Sequence, residues 1–358
     1  MDEIKSNQRL SFTEVLREDK VDTISTEGFD VAPINAHMLR IEAKFTAALS
    51  EEANDALARV LPSGKDWQDT GAFLPAMTEI VTQMSARIFI GAPLCRNRQW
   101  LRISASYAEQ MVLAMRSISR YLRIIRPLMQ HLAPEMRRLN EVHNAARSLL
   151  SPILASRAKE RSESEAQEKS IDALQWFSEV ASAKKQPFDP LYTQLGLTVV
   201  AVSTTSALLT NVIFDLVAHL DLIQELRQEM MEVLGLQAEG DRWTKASLQR
   251  LQLLDSAMKE TQRLNPPEAL LMRRRVVRDF TLSDGTVLPA GSTIALPSAA
   301  LRDPALFDHP EEYQGNRFLR MRQETGSQNK WQFVSTSKEM FGFGHGTHAC
   351  PGRFFASV

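Results

Sequence analysis

The most chemically informative residues of this sequence lie in one stretch near its C-terminus, from Phe343 to Gly352. Cys350 is a thiol in a glycine-rich loop, and Gly344 and Gly346 lack a Cβ, so the backbone there can lie against a flat ligand. Pro351 has its φ angle pre-set for a first helical turn, which predicts that a helix begins directly after the cysteine. The N–H groups at such a helix start favour an anion, so the pattern predicts a metal-binding thiolate.

Three kinds of site fit this cysteine. An isolated cysteine in a turn is usually inert or a nucleophile. Zinc is a second possibility, because His345, His348 and Cys350 could supply three ligands, although structural zinc usually has four and the other cysteine, Cys95, is distant in sequence. Haem iron is the third, since thiolate is one of its established axial ligands. Phe343 would then cover the face of the ligand, and His348 would donate to a carboxylate at its edge.

The stretch has the pattern Phe-x-x-Gly-x-basic-x-Cys-x-Gly, and by this pattern the chain resembles the cytochrome P450 family. The resemblance implies that Cys350 is the axial ligand of haem b and that Gly352 belongs to the binding loop. It also implies that His348, which stands where most members have Arg, donates to a haem propionate. The charge of a histidine at this position depends on pH.

Glu260 and Arg263 are three residues apart near the end of a predicted helix, which the proline pair beginning at Pro266 stops. By itself this spacing is typical of a solvent-exposed ion pair that contributes about 0.3 kcal/mol. In the family, the pattern Glu-x-x-Arg is followed by a second arginine, and the three side chains brace the haem side of the core. The resemblance assigns the second arginine to Arg317, close to Gly315, which replaces a commoner proline.

Residues 272–291 alternate in polarity, reach an Asp-Gly pair and alternate again, which predicts a β-hairpin. The cluster from Arg273 to Arg275 would ordinarily be a solvated strand end. The resemblance implies that an arginine of this strand binds a haem propionate, and Arg274 is the candidate, because a guanidinium suits a carboxylate. A basic residue of an early helix has a similar role in the family, and Arg40, beside His37, is the candidate.

The longest apolar stretch runs from Leu195 to Phe214, twenty positions without a charged residue. That length suits a transmembrane helix, but six hydroxyl side chains within it and a helical pattern that continues beyond it predict the central helix of a globular domain. Such hydroxyls commonly bond back to their own helix. The resemblance implies that Thr204 helps to deliver protons to oxygen and that Ser203 stands where a carboxylate is often found, so that water held by Thr204 would serve as the relay.

Composition predicts a soluble globular body. The 358 residues are 44% hydrophobic and 24% charged, with a net charge of -1. This is enough to bury a core, and it gives no basic excess for nucleic acid. Two cysteines far apart favour a reducing compartment over a disulfide framework, and Met1 to Asn7 shows no secretory signal.

Helical spacing dominates up to about Pro267, and strands and irregular loops are predicted afterwards. We therefore expect a mainly α fold with a small β part, which the resemblance makes a cytochrome P450 fold in a single domain over residues 1–358. A β-hairpin, a meander and the cysteine loop are expected over 268–358. Helices are predicted at 35–60, 73–90, 100–157 with interruptions at Pro127, Pro134 and Pro152, 187–220, 222–234 and 247–264.

The resemblance also implies an activity. It is that of a haem-thiolate monooxygenase, which inserts one oxygen atom of O₂ into a C–H bond with electrons from NADPH through cytochrome P450 reductase. The stretch from Ile90 to Leu101 resembles ascomycete enzymes of secondary metabolism, including those that act on diterpenes such as ent-kaurene. An apolar terpenoid or polyketide substrate, and the cytosolic face of the endoplasmic reticulum, are the corresponding expectations.

Compared with the family, the chain is expected to lack the N-terminal membrane anchor, the N-terminal β lobe and the C-terminal strands. This leaves two alternatives to the monooxygenase. One is a truncated remnant that keeps the fold without turnover. The other is a P450-type isomerase or peroxide user, which needs no reductase.

Overall fold

The computed structural model describes residues 7, 9–11, 32–62, 64, 68–69, 71–92, 94–122, 124–163, 171–185, 188–235 and 243–358, with only the backbone for residues 32–44 and 160–163. The chain divides into two compact units. The first comprises Met1–Asp19 and Ala207–Val358, and the second comprises Lys20–Ser206. Each unit is described by itself.

The second unit is helical throughout its described residues apart from short connections. Its core is built from α-helical faces around Trp100, Tyr107, Leu139 and Leu195, each at most 2% exposed. The helices are α1 (Ala32–Val60), α2 (Phe73–Phe89), α3 (Arg98–Ser119), α4 (Arg126–Leu132), α5 (Pro134–Glu163), α6 (Ala173–Lys184) and the first part of α7 (Pro190–Val217).

Pro152 does not interrupt the helix that contains it, so the prediction of a break there is wrong. The residue lies inside α5, although a proline in a helix interior costs about 3 kcal/mol. Long-range contacts hold the helix on both sides of the proline. Leu150 is buried in the core, and Arg157 makes a two-point ion pair with Asp172 at 2.9 and 2.6 Å.

The first unit combines short helices with two small antiparallel sheets. Its helices are the end of α7, α8 (Leu220–Leu234), α9 (Lys245–Arg250), α10 (Gln252–Leu264), α11 (Arg317–Gln323) and α12 (Arg353–Ala356). One sheet has the order β1-β2-β5, and the other pairs β3 with β4. The strands are β1 (Leu10–Ser11), β2 (Leu270–Val276), β3 (Phe280–Thr281), β4 (Val287–Leu288) and β5 (Thr293–Pro297).

Two predicted elements of this unit differ in the structure. The helix predicted over 247–264 is two helices, because Leu251 leaves the helical region at φ -77° and ψ 70°. The side chain of Glu229, from α8, accepts hydrogen bonds from the N–H groups of Leu253 and Leu254 and so caps α10 from a distance. A cap that comes from another helix has no signature in the local sequence.

The predicted hairpin has a different first strand. The Asp-Gly turn is present, with Gly285 at φ 88°, but it joins β3 to β4. Strand β2 instead pairs with β5, placing Arg274 opposite Ile294. The described residues are nevertheless mainly helical with a small β part, which confirms the predicted fold class. The single domain over residues 1–358 stays a prediction.

Candidate functional site

The loop before α12 closes on itself around Cys350. The Cys350 N–H donates to the carbonyl of Phe343 at 2.6 Å, and a single 3₁₀ turn at Gly346–His348 lies between them. Gly344 and Gly346 have φ angles of 71° and 75°, the left-handed region that favours glycine. The predicted helix begins at Arg353, two residues later than expected, because Pro351 and Gly352 form a turn first.

The surroundings of Cys350 shift the pKa of its thiol in two opposite directions. Burial raises the pKa of the thiol above its ordinary value, while the N–H groups of Gly352 and Arg353 and the Arg353 guanidinium lower the pKa. The donors expected at a helix start are therefore present, but burial outweighs them. A thiol in such a place becomes a thiolate when a metal binds it, because coordination removes the proton.

Two glycines of the loop lie close to other atoms of the loop. A Cβ added to Gly344 would lie 3.3 Å from the carbonyl oxygen of His348, closer than nine in ten real Cβ contacts. A Cβ added to Gly352 would lie 4.0 Å from the Cys350 sulfur. Gly344 thus permits the tight fold of the loop, and Gly352 places no side chain beside the sulfur.

Arg274 and His348 lie near each other in the first unit. Arg274 is 2% exposed, and burial lowers its pKa. Its guanidinium in turn lowers the pKa of His348, although burial is the larger cause of that shift. The Nη1 of Arg274 donates to the carbonyl of Arg273 at 2.8 Å.

These residues fit a haem better than a zinc ion. A buried guanidinium close to Cys350's loop suits an anionic edge such as a propionate, and Gly352 places no side chain beside the sulfur. Over the described ranges, no three His, Cys, Asp or Glu side chains form a group that could hold a metal ion. The alternative zinc site of His345, His348 and Cys350 is therefore not supported.

Phe343 is half-buried, and its ring lies against another aromatic residue. The rings of Phe333 and Phe343 are 5.1 Å apart and meet edge to face at 77°. Such pairs add about 0.5–1.5 kcal/mol beyond the area that they bury. The ring of Phe333 thus restrains Phe343, the first residue of the cysteine loop, from a position ten residues upstream.

Glu260, Arg263 and Arg317 form one buried cluster. Arg263 makes two bonds to the Glu260 carboxylate, at 2.9 and 2.8 Å, and Arg317 Nε donates to the same carboxylate at 2.9 Å. Glu260 and Arg263 are 0% exposed, and Arg317 is 3% exposed. The interpretation of the first two as an ordinary solvent-exposed pair is therefore wrong, because a third partner and complete burial come from distant parts of the chain.

The remaining donors of the two arginines go to backbone carbonyls. Arg263 donates to Leu301 and Pro310, and Arg317 donates to His309 and Glu312. One carboxylate and several carbonyls thus satisfy two buried guanidinium groups, as buried charge requires. The cluster ties α10 to α11 and to the irregular segment between β5 and α11.

Gly315 lies where the backbone passes directly against α8. A Cβ at this position would clash with the Leu222 side chain. Glycine, which replaces the commoner proline here, therefore allows the loop to approach Leu222 closely.

Thr204 and Ser203 lie on α7 in the second unit, and both are exposed. Thr204 Oγ1 donates to the carbonyl of Val200 at 2.7 Å, and Ser203 Oγ donates to that of Val199 at 2.9 Å. Both hydroxyls therefore donate their protons within the helix, and their oxygen lone pairs can still accept a hydrogen bond. Arg40 lies in α1, but its side chain falls outside the described residues, as does that of His37.

Sequence reasoning did not identify Asp255 and Lys259 as part of this site. Both lie on α10 and contact the segment that leads to Phe343. Their spacing of four residues is visible in the sequence, but it is typical of a solvated helix face. Only the structure shows that Lys259 is 1% exposed.

One described helix, α7, is long and apolar enough to cross a membrane by length and composition. Its most apolar window has a mean hydropathy of 1.7, and 33% of that window is buried. The core helix of a soluble protein passes the same test, so this property alone does not distinguish a membrane span from a core helix.

Comparison with known proteins gives consistent matches. The family described as Cytochrome P450 matches residues 34–358. Among individual proteins, the chain is 36% identical to the cytochrome P450 monooxygenase easM of Aspergillus fumigatus, over 100% of this chain and 70% of that protein. It is 34% identical to cytochrome P450 monooxygenase 1 of Gibberella fujikuroi and 36% identical to the monooxygenase TRI1 of Fusarium sporotrichioides, over 99% of this chain and 82% and 66% of theirs.

A solved structure shows the same fold. The retinoic acid bound cyanobacterial CYP120A1 superposes with a TM-score of 0.62 at 20% identity, over 88% of this chain and 65% of that chain. An identity this low supports the fold alone. Together with the family match and the fungal relatives, these findings give the identification: the chain belongs to the cytochrome P450 family, as an oxidoreductase of the monooxygenase type that resembles those of ascomycete secondary metabolism.

Proposed function

We propose that Cys350 is the axial thiolate ligand of a haem b, and that the protein inserts one oxygen atom of O₂ into a C–H bond of an apolar small molecule. The observation that carries the proposal is the cysteine loop itself. Its sulfur faces the N–H groups of Gly352 and Arg353, and Gly352 places no side chain beside it. When bound, the haem supplies the activation of O₂, and thiolate ligation favours O–O cleavage.

Holding the haem is the proposed task of several residues. Arg274 donates to one propionate through the guanidinium that is buried next to His348, and His348 donates as a neutral imidazole N–H. Phe343, Gly344, Gly346 and Gly352 shape the loop. Arg40 of α1 is proposed as a further propionate donor on the family resemblance alone.

Thr204 is proposed to hold the water that supplies protons. Its Oγ1 already donates to Val200, so the hydroxyl accepts a hydrogen bond from water and fixes that water in place. Ser203 has the same geometry one position earlier and lacks the acid strength of a carboxylate. We therefore propose Thr204 as the main residue of the proton path and Ser203 as its auxiliary.

The Glu260, Arg263 and Arg317 cluster is proposed to keep the haem side of the first unit rigid. Its support is complete burial and the number of carbonyls that it binds. None of the three side chains needs to touch the haem for this purpose. They are structural residues in the proposal.

The partner and the substrate are proposed from the relatives. Fungal monooxygenases of this family match the whole of this chain, which supports cytochrome P450 reductase as the electron donor, with NADPH as its source. A terpenoid or polyketide substrate and the cytosolic face of the endoplasmic reticulum are proposed from the resemblance to ascomycete enzymes of secondary metabolism. No nucleic acid is expected as a partner.

The experiment compares the two cysteines of the chain. Cys95 is 1% exposed and packed in the core of the second unit, so no large ligand can reach its sulfur. In haem-loaded protein, the reduced carbon monoxide complex of the Cys95→Ala variant keeps the red-shifted Soret band of thiolate ligation, whereas Cys350→Ala loses it. A band that survives in Cys350→Ala contradicts the proposal.

Turnover separates the monooxygenase from its two alternatives. Product formed with NADPH and reductase supports the proposed reaction. A remnant shows neither the band nor product. A P450-type isomerase or peroxide user shows the band but forms its product without NADPH oxidation.

A further inference from the structure

Helix α10 carries a second set of polar side chains beside Glu260 and Arg263. Asp255, Lys259 and Gln262 are four and three residues apart, so their side chains share one stripe of the helix. Lys259 is 1% exposed and Gln262 is 5% exposed. A buried lysine is rare and needs strong partners.

The partners of this stripe are backbone groups of one segment. Lys259 Nζ donates to the carbonyls of Gln332 and Ser335 at 2.8 and 2.9 Å. Asp255 Oδ2 accepts from the N–H of Phe333 at 3.0 Å. Three backbone groups within four consecutive residues are thus fixed by two side chains of α10.

Charged and aromatic side chains complete the surroundings of Lys259. Asp255 lies one turn earlier on the same helix, and Arg322 of α11 bonds to Asp255 at 3.1 Å. The ring of Phe318, also on α11, lies 5.5 Å from Lys259 Nζ. The ammonium group therefore has two carbonyl acceptors, one carboxylate nearby and one aromatic face.

Gln262 holds the same segment farther along. The backbone at Gly342 passes so close that an added Cβ would lie 2.8 Å from both Cδ and Oε1 of Gln262. The α10 stripe therefore contacts the chain at residues 332–335 and again at residue 342. Residue 343 begins the cysteine loop.

Aromatic packing and one short hydrogen bond link this segment to Cys350. The ring of Phe333, whose N–H is held by Asp255, packs edge to face on Phe343. The carbonyl of Phe343 accepts the Cys350 N–H at 2.6 Å. A shift of the segment at Phe333 would therefore move the residue to which Cys350 is bonded.

We propose that the stripe of Asp255, Lys259 and Gln262 is a positioning device for the thiolate ligand. It holds residues 332–342 so that Phe343 and Cys350 keep the geometry in which the sulfur reaches the iron. None of the three side chains touches the haem in this proposal, and all of them act through Phe343. The inference rests on the proposed role of Cys350 as the iron ligand.

The test compares two lysine variants in haem-loaded protein. Lys259→Met keeps most of the side-chain volume but removes both bonds to the segment. Lys338→Met makes the same change at a lysine of the following loop whose side chain is 65% exposed. The measurement is the rate at which the reduced carbon monoxide complex loses the red-shifted Soret band while total bound haem stays constant.

We expect Lys259→Met to lose the band about tenfold faster than the unmodified chain, since the two carbonyls are left unsatisfied in the interior. Lys338→Met should lose it at the unmodified rate. Constant haem content distinguishes misplacement of the sulfur from general unfolding, which would release haem as well. Equal rates in the two lysine variants contradict the inference.

Phe333→Leu provides an independent test, because it leaves both Lys259 bonds and the Asp255 bond in place. Trimming the ring that packs on Phe343 should also accelerate loss of the band with haem retained. If Lys259→Met does not fold, an unchanged rate in Phe333→Leu overturns the inference. Absence of the band in the unmodified chain contradicts the proposed function instead, whereas its presence with equal rates contradicts only this inference.

Discussion

Helices α10 and α7 both carry many polar side chains, but they satisfy them in opposite ways. On α10, Arg263 donates to a carbonyl 38 residues away and Lys259 to one 73 residues away. On α7, four hydroxyls each donate to the carbonyl four residues earlier in the same helix. These donors are Thr198, Ser203, Thr204 and Ser206.

The difference shows which polar groups hold the fold together and which are available for chemistry. Glu260 is 0% exposed, so no water can replace a partner that it loses. Thr204 is exposed and bonded within its helix, so loss of its hydroxyl leaves no distant group unsatisfied. Substitutions on α10 should therefore affect stability, and substitutions on α7 should affect the reaction.

Glu260→Gln should give the largest effect. The amide has the shape of the carboxylate but no charge, so Arg263 and Arg317 would remain buried without their anion. We expect a loss of about 3–5 kcal/mol in the free energy of unfolding, the usual cost of breaking a buried pair. Chemical denaturation of haem-loaded protein, followed by helical circular dichroism, measures it.

Glu311→Gln is the matched control. Its side chain is 70% exposed and pairs with Arg302 at 3.0 Å. An exposed pair contributes about 0–1 kcal/mol, so the same chemical change should be nearly silent here. Similar losses in the two variants would show that burial does not distinguish the two carboxylates.

Lys259 should make stability depend on pH. Burial lowers its pKa from 10.5 to about 7, against the smaller opposing effect of Asp255. Between these two pH values the unfolded chain binds the extra proton, so stability rises with pH, and below about pH 7 this contribution is constant. Relative to Lys259→Met, the unmodified chain should gain about 2 kcal/mol from pH 7 to pH 9.

Denaturation of both proteins at several pH values checks this slope. Lys259→Met has no titrating group at this position, so the difference between the two curves isolates the lysine from Asp255 and Arg322. Parallel curves would mean that Lys259 has an ordinary pKa in the folded protein.

The same comparison explains what the sequence could predict. The back-bonded hydroxyls of α7 follow from local geometry, and the bounds of that helix were predicted to within about three residues. The Asp-Gly turn of β3 and β4 is also local. The cysteine loop could be recognised because its glycines, proline and thiol are consecutive.

Long-range contacts could not be predicted from the sequence. The pairing of β2 with β5, the cap of α10 by Glu229 and the burial of Lys259 each join residues that are far apart in the chain. In a single sequence, Asp255 and Lys259 look like an ordinary surface pair. The cluster of Glu260, Arg263 and Arg317 was predictable only through resemblance to a family.

Thr204→Ala should have the smallest effect on stability and a clear effect on the reaction. Its hydroxyl is exposed and donates to the carbonyl of Val200 in the same helix, so the free energy of unfolding should change by at most about 0.5 kcal/mol. If Thr204 holds the water that supplies protons, the variant should consume NADPH with less product.

Ser203→Ala is the matched control, because it removes another exposed hydroxyl one position away that also donates to the carbonyl four residues earlier. The ratio of product to NADPH should fall further in Thr204→Ala than in Ser203→Ala, because the two side chains point about 100° apart around the helix. Equal ratios would mean that the proton path does not depend on which of the two hydroxyls is present.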